Sequence, residues 1–210
     1  MKKILISAGP TREKYDAVRF WSNRSSGKMG YALAAAAAAR GWCVTLVSGP
    51  VTLAAPAVVE LIRVESAAEM AAAVKSRAPE MDAVIMAAAV ADYRPAETFA
   101  GKLKKMPGRL VIEFERTEDI LASLGAAKRP GQLLIGFAAE TDDLLANAAA
   151  KLERKNLDWI VANDVGRADR GFGSDANAVT LLSSTGVRLE LPLASKAAIA
   201  ERILDTVFDA

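Results

Sequence analysis

Short apolar runs that end on glycine or proline alternate with helix-like segments along most of this chain. That alternation constrains the fold more than any other feature of the sequence. Ile4 to Gly9 is apolar and closes on Gly9-Pro10. Pro10 to Ser26 then reads as a long polar loop. Gly27 to Arg40 is alanine-rich, a helix ended by Gly41 at the C′ position. Val44 to Ser48 is a second strand, closed by Gly49-Pro50, and Leu61 to Val64 a third. Ser66-Ala67-Ala68-Glu69 has the spacing of a capping box and opens a helix through Arg77. Ala83 to Ala88 is a fourth strand, apolar throughout as a central parallel strand should be.

The second half repeats the scheme less regularly. Leu110 to Phe114 alternates as a strand. Thr117-Glu118-Asp119-Ile120 starts a helix with acids in its first turn. Leu133 to Phe137 is a strand, Thr141 to Lys155 a helix, and Trp159 to Ala162 a strand leading into Asn163-Asp164. Ala178 to Leu182 and Val187 to Leu191 flank Ser183-Ser184-Thr185-Gly186, a hairpin signal. Ser195 to Phe208 is a closing amphipathic helix. The pattern predicts an α/β fold: a Rossmann-like, mostly parallel sheet with helices on both faces and a C-terminal antiparallel hairpin element. Residues 1–210 are expected to form one domain. A chain of 210 residues can bury about 70% of its unfolded surface without a disulfide or metal.

Two absences then remove whole classes of chemistry. There is no histidine, so a Ser-His-Asp triad, a Cys-His dyad and a histidine-ligated metal are impossible. Cys43 is the only cysteine, which excludes an intrachain disulfide and a cysteine metal cluster. Its context, Trp42-Cys43-Val44-Thr45-Leu46-Val47, reads as a buried strand with an inert core thiol. The balance of 27 basic against 25 acidic side chains leaves +2, with no sign of a nucleic-acid partner. The apolar stretch at the start is too short for a signal peptide. The run from Ala32 to Ala39 is far below the ~20 residues that span a bilayer. A cytoplasmic protein with no membrane segment is expected.

In such a sheet the ligand lies beyond the carboxyl ends of the strands. Four segments there carry candidate chemistry. Ser25, Ser26, Gly27, Lys28 and Gly30 precede or open the first helix, where backbone N–H groups attract an anion. The same residues would also serve a capped, closely packed helix. Ala87, Ala88 and Asp92 follow the fourth strand, where small residues would leave backbone groups free for a flat ligand. A helix cap or an ion-pair partner is the other reading of Asp92. Lys102-Leu103-Lys104-Lys105 puts three lysines into four residues of a loop, a solvated charge run or a clamp on polyphosphate. Lys151 and Lys155 share one helix face four residues apart, as cations at a helix C-terminus often do. Phe137 leaves its strand among small residues, placed for a base or for the core. Asn163-Asp164 and Gly171-Phe172-Gly173-Ser174-Asp175 are loop residues without an assigned role. No acid follows the second strand, and no tyrosine has a lysine four places on. Both facts weigh against a nicotinamide enzyme.

Together these segments resemble a known family. Gly9 to Glu13, Val18-Arg19, Ser22 to Gly30, Val47 to Pro50, Ala87 to Pro95, Lys102 to Lys105, Gly136 to Thr141 and Ala162-Asn163 are similar, in order, to bacterial phosphopantothenate–cysteine ligase. That enzyme is the synthetase half of the bifunctional coenzyme A biosynthesis protein. The resemblance implies that CTP and Mg2+ activate 4′-phosphopantothenate as an acyl-cytidylate, releasing pyrophosphate. L-cysteine then displaces CMP. It also implies a homodimer, with exposed Phe20 and Trp21 at the interface. By the same resemblance Arg19 and Asn23 lie near the pantothenate and the acyl intermediate, and Ser25 to Gly30 hold phosphate. Ala87, Ala88, Asp92, Phe137, Lys151 and Lys155 contact CTP, as do Glu118, Asp119 and Ile120. Lys102 serves activation. Metal ligands are not indicated. The chain departs from the family at Lys14 to Trp21 and at Thr117-Glu118, and it lacks the decarboxylase half. The other readings are a nucleotide- or NAD(P)-binding module without ligase activity, or a flavoprotein.

Overall fold

The computed structural model describes residues 1–105, 107–140, 143–164 and 173–209. The first half contains β1 (Lys3–Ala8), β2 (Arg12–Lys14), β3 (Phe20–Ser22), α1 (Lys28–Ala39), β4 (Cys43–Ser48), β5 (Glu60–Arg63), α2 (Ala67–Arg77) and β6 (Ala83–Met86). The second contains β7 (Tyr93–Pro95), β8 (Phe114–Arg116), α3 (Ile120–Ala126), β9 (Leu133–Glu140), α4 (Leu144–Arg154), β10 (Trp159–Asp164), β11 (Ala176–Ser183), β12 (Arg188–Ser195) and α5 (Lys196–Phe208).

Eight strands form one sheet in the order β12-β11-β10-β9-β6-β1-β4-β5. The six from β5 to β10 are parallel, and β11 and β12 add antiparallel strands at the edge. Strand alternation divides the core. Ile4, Ile6, Val44, Leu46 and Ile85 face α1 and α5, while Leu5, Val47, Val84 and Met86 face α2, α3 and α4. The expected helices on both faces and terminal hairpin are therefore present.

Local chemistry explains the helix boundaries. The Ser66 hydroxyl accepts the Glu69 N–H at 3.2 Å, and the Glu69 carboxylate accepts the Glu65 N–H at 2.6 Å. The buried Glu13 carboxylate adds a third contact at that end, accepting the Ala67 N–H at 2.8 Å. Gly27 stands at the start of α1 with φ 78°. Further along α1, a Cβ at Gly30 would sit 2.5 Å from the Ala8 Cβ. Glycine there lets the helix lie directly on β1.

Several expectations need correction. Cys43 is exposed, not a core thiol. It is the first residue of β4, and burial begins one residue later at Val44. The segment Pro10 to Ser26 is not all loop, because β2 and β3 pair antiparallel within it. The strand expected at Leu110 to Phe114 starts only at Phe114, and Leu110 and Val111 are 57% and 81% exposed. Alternation alone did not reveal that no sheet face awaits them. No acid lies in the first turn of α3, since Asp119 is its N-cap and accepts the Ala122 N–H at 3.0 Å. The fourth strand ends at Met86, not Ala88. The expected α4 start at Thr141, and the loop residues Gly171 and Phe172, lie outside the described residues; α4 is described from Leu144.

Candidate active site at the carboxyl edge

The chain runs outward from β1 through β4 to β5, then crosses back to β6 on the other side of β1. The strand order thus reverses between β1 and β6, the place where open α/β sheets form a crevice. Residues just past the strands carry the pairing further. Ala89 N–H donates to the Gly9 carbonyl at 2.9 Å, and Thr11 N–H donates to the Ala89 carbonyl at 3.3 Å.

The small residues after β6 are held more tightly than expected. Ala88 N–H donates to Ser7 Oγ at 3.1 Å, and Ala91 N–H to Thr11 Oγ1 at 3.0 Å. Thr117 Oγ1 donates to the Ala91 carbonyl at 2.6 Å. Asn23 Nδ2 donates to the carbonyls of Ala89 and Val90 at 3.0 and 3.2 Å. This corrects the expectation of free backbone groups. Six of these groups, from Ala88 to Ala91, are consumed in fixing the floor of the site.

Two adjoining clefts open here. The smaller, about 110 Å³, is lined by Ser25, Ser26, Gly27, Lys28 and Gly30 on one side and by Ala87, Ala88 and Phe137 on the other. The larger, about 630 Å³, is lined by Asn23, Ala88, Asp92, Glu118, Asp119, Ile120, Phe137, Lys151 and Lys155. Ala88, Ala89, Phe137 and Ala139 belong to both. The fold thus brings together every expected site residue but two. Arg19 and Lys102 line neither cleft. Arg19 pairs with the Asp16 carboxylate at 2.9 Å and donates to the Leu103 carbonyl at 2.8 Å.

The charges in the larger cleft are already organised. Lys75 and Ser123 hydrogen-bond Glu118 and hold its carboxyl below the usual range. Burial pushes Asp119 up, but its bonds to Lys155 and the Ala122 N–H, with the nearby charge of Lys151, bring it net below its ordinary value. The Lys155 ammonium meets that carboxylate at 2.9 Å. Lys151 Nζ donates to the Phe137 carbonyl at 2.9 Å, which ties α4 to the partition between the clefts. Phe137 is half-buried, so it packs on the core and faces the clefts at once.

The smaller cleft holds residues that sequence reasoning did not assign. Asn163, Asn177 and Lys196 line it from β10, β11 and α5. The Asn163 Oδ1 is buried with no hydrogen-bond partner among the described residues. Burial pushes the Lys196 ammonium below its ordinary pKa, and Lys28 adds to the effect while Asp175 opposes it. Asn163 was findable, because it stands at a strand's carboxyl end. Nothing in a closing amphipathic helix marks its first residue as cleft-lining.

The comparisons with known proteins bear on the family and the fold. The family model for the DNA/pantothenate metabolism flavoprotein C-terminal domain matches residues 1–210. The coenzyme A biosynthesis bifunctional protein CoaBC of Bacillus subtilis (strain 168) is 50% identical over 207 residues, covering 98% of this chain. The chain spans only about half of that relative, 51% of its length. The crystal structure of the C-terminal domain of a coenzyme A biosynthesis bifunctional protein CoaBC is 48% identical, with TM-score 0.84 over 98% of this chain and 93% of that one. A structure titled as a Cab2 mutant in complex with phosphopantothenate-cysteine matches at TM-score 0.81, over 99% of this chain and 85% of that one; at 19% identity it shows the fold alone. With its whole length matched by one family model and half its residues shared with a full-length relative, the chain belongs to the DNA/pantothenate metabolism flavoprotein C-terminal domain family.

Proposed function

We propose that this chain is a phosphopantothenate–cysteine ligase domain that joins 4′-phosphopantothenate to L-cysteine, with CTP as the activating nucleotide. The observation that carries the reading is the pair of adjoining clefts that meet at Ala88 and Phe137. Activating an acid with a nucleotide requires two molecules side by side, with reacting atoms about 3–3.5 Å apart. Family membership and the 48% identity to a CoaBC C-terminal domain support it.

In the first step a carboxylate oxygen of 4′-phosphopantothenate attacks the α-phosphorus of CTP, and the bond to pyrophosphate breaks. The cysteine amine then attacks the acyl carbon, CMP leaves with the bonding pair, and the amine loses a proton. With no histidine in the chain to take it, that proton passes to another acceptor: a carboxylate, a phosphate oxygen or solvent. Positioning and charge neutralisation carry such a reaction more than a general base does.

In this reading the α1 N-terminus, Ser25 to Gly30, holds phosphate. Phe137 supports the base, and Lys151 and Lys155 face the nucleotide. Asn23, anchored through its amide nitrogen, keeps its oxygen for the substrate. Lys102 supplies positive charge from a neighbouring loop, and Arg19, paired with Asp16 and bonded to the Leu103 carbonyl, holds that loop beside the substrate. Mg2+ would arrive with the nucleotide. Glu118 and Asp119 are already paired with Lys75 and Lys155, whereas Asp92 lines the cleft exposed, so Asp92 is the carboxylate that suits the ion. Such ions commonly take one or two carboxylates and complete their shell with phosphate and water. When bound, the ion supplies neutralisation of phosphate charge. A homodimer is part of this proposal. Phe20, Trp21 and Phe114 are 48%, 56% and 37% exposed, and the rings of Trp21 and Phe114 meet edge-on at 5.1 Å.

The test is pyrophosphate release with 4′-phosphopantothenate and Mg2+, comparing CTP with ATP, with and without cysteine. Release with CTP, followed by CMP once cysteine is added, is the expected result. Release with ATP alone would retain the ligase and change the nucleotide. No release with either would overturn the ligase in favour of a nucleotide-binding module.

A further inference from the structure

The lysine loop is docked on the turn between β2 and β3, and one buried carboxylate does most of the docking. The Asp16 side chain is fully buried, while its partner Arg19 is 46% exposed. One oxygen, Oδ1, accepts the N–H groups of Val18 and Arg19 at 2.8 and 2.7 Å and so shapes the turn. The other, Oδ2, accepts the Leu103 N–H at 3.1 Å and the Arg19 guanidinium at 2.9 Å. Arg19 completes the link by donating to the Leu103 carbonyl at 2.8 Å. Both polar groups of the Leu103 backbone are therefore bound to the Asp16–Arg19 pair. A second staple lies four residues earlier. Phe99 N–H donates to the Tyr15 carbonyl at 3.0 Å, and the two rings meet edge-on at 5.7 Å.

Lys102 is thus an exposed side chain on a backbone that is clamped on both sides. The clamp also continues into the site. The same turn leads through β3 to Ser22, whose hydroxyl donates to the Thr11 carbonyl at 2.7 Å, and to Asn23, which lines the larger cleft. Side chains near the reacting centre must be held to fractions of an ångström by neighbours whose own geometry is locked. Asp16 has the required features: burial, charge, and four donors converging from two segments.

We propose that Asp16 is a positioning residue for the ligase reaction, holding Leu103 so that Lys102 is presented from a rigid loop. The proposal rests on the reading above in which Lys102 serves activation. Asp16 touches no substrate in it and acts only through its neighbours.

The test is Asp16→Asn. The amide retains one acceptor for the turn but turns a donor toward the Leu103 N–H and the guanidinium. Hydrogen–deuterium exchange read across residues 99–103 should speed up, while exchange in β1 and β6 stays unchanged. Pyrophosphate release at saturating substrates should fall about 10–100-fold, the scale of a lost hydrogen bond to a charged group, with little change in KM for CTP. The decisive measurement is the double variant Asp16→Asn/Lys102→Gln. If Asp16 acts through Lys102, the double variant is no slower than Lys102→Gln alone. Multiplying defects would overturn the proposal, as would unchanged exchange at residues 99–103. A fully active Lys102→Gln would instead overturn the role of Lys102, a separate failure. If Asp16→Asn does not fold, Arg19→Gln removes the bond to the Leu103 carbonyl at a half-exposed position. Faster exchange at residues 99–103 then supports the clamp, and unchanged exchange overturns it.

Discussion

A lysine that lines no cleft gains importance from what its loop is tied to. Lys102 is exposed, yet the next residue is bonded through both of its backbone groups. Lys102→Gln is expected to slow CTP-dependent pyrophosphate release by about 10²–10³-fold, the scale for one lost donor to transition-state charge. Single-turnover release would check it, and turnover near that of the parent chain would remove Lys102 from the mechanism. Asp119 shows the reverse case, a residue expected to meet nucleotide and to open a helix, whose structural part is that of an N-cap. It caps α3 and pairs with Lys155. Asp119→Ala should cost about 0.5–2 kcal/mol, the usual loss for a cap, read as a shift in urea midpoint at neutral pH. The sign of its pH dependence follows from its lowered pKa. A depressed carboxyl stabilises the fold above the unfolded value near 4 and loses that contribution as pH falls further. The parent chain and Asp119→Asn should therefore differ at pH 7 and converge progressively as the pH falls below the unfolded value near 4. A constant difference across that range would mean the ionised carboxylate is not what matters.

At the scale of elements, glycine in α1 is a packing device. Replacing a mid-helix glycine with alanine normally gains about 0.5–1 kcal/mol in backbone entropy. Here the new Cβ would lie 2.5 Å from the Ala8 Cβ and 3.0 Å from the Ser7 carbonyl oxygen. Neither neighbour can move without shifting β1, the central strand. The clash outweighs the propensity, and Gly30→Ala should lose about 1–3 kcal/mol, as overpacked cores do. A melting temperature equal to or above the parent's would show that α1 slides freely on the sheet. The helices and parallel strands were legible because each has its own period, terminator or cap. The Ser66 cap and the Gly41 stop both stand where the sequence placed them. The pairs β2–β3 and β7–β8 were not legible. Each strand has three residues, too few for alternation to register, and β7 and β8 find each other across eighteen intervening positions.

For the whole molecule, the exposed aromatic surface carries the remaining prediction. Val18, Phe20, Trp21, Tyr93, Leu110, Val111 and Phe114 are all exposed, and the rings of Trp21 and Phe114 touch. If the proposed homodimer uses this surface, Trp21→Glu should halve the mass in solution measured by light scattering and leave the circular dichroism spectrum unchanged. A monomeric parent chain would remove the dimer, and a dimeric Trp21→Glu would move the interface elsewhere. Among the described residues no helix is long and apolar enough to cross a membrane, consistent with the shortness of the apolar runs.

What the sequence determined by itself was the alternation of strand and helix, the closing hairpin, and the edge of the sheet where the clefts open. These follow from local forces: side-chain period, capping hydrogen bonds, and the freedom of glycine past a helix end. It also excluded histidine chemistry outright, since a missing residue is missing in any fold. The tertiary structure decided which side chains meet. Thr11, Asn23 and Thr117 are far apart along the chain, yet all three bind the backbone that follows β6. Asp16 and Leu103 are 87 positions apart and share one hydrogen bond. Lys196, from the last helix, reaches the cleft that the first helix opens. Contacts of this range depend on the crossing of β5 to β6 and on the depth at which each side chain is buried, and neither quantity is written in any local stretch of residues.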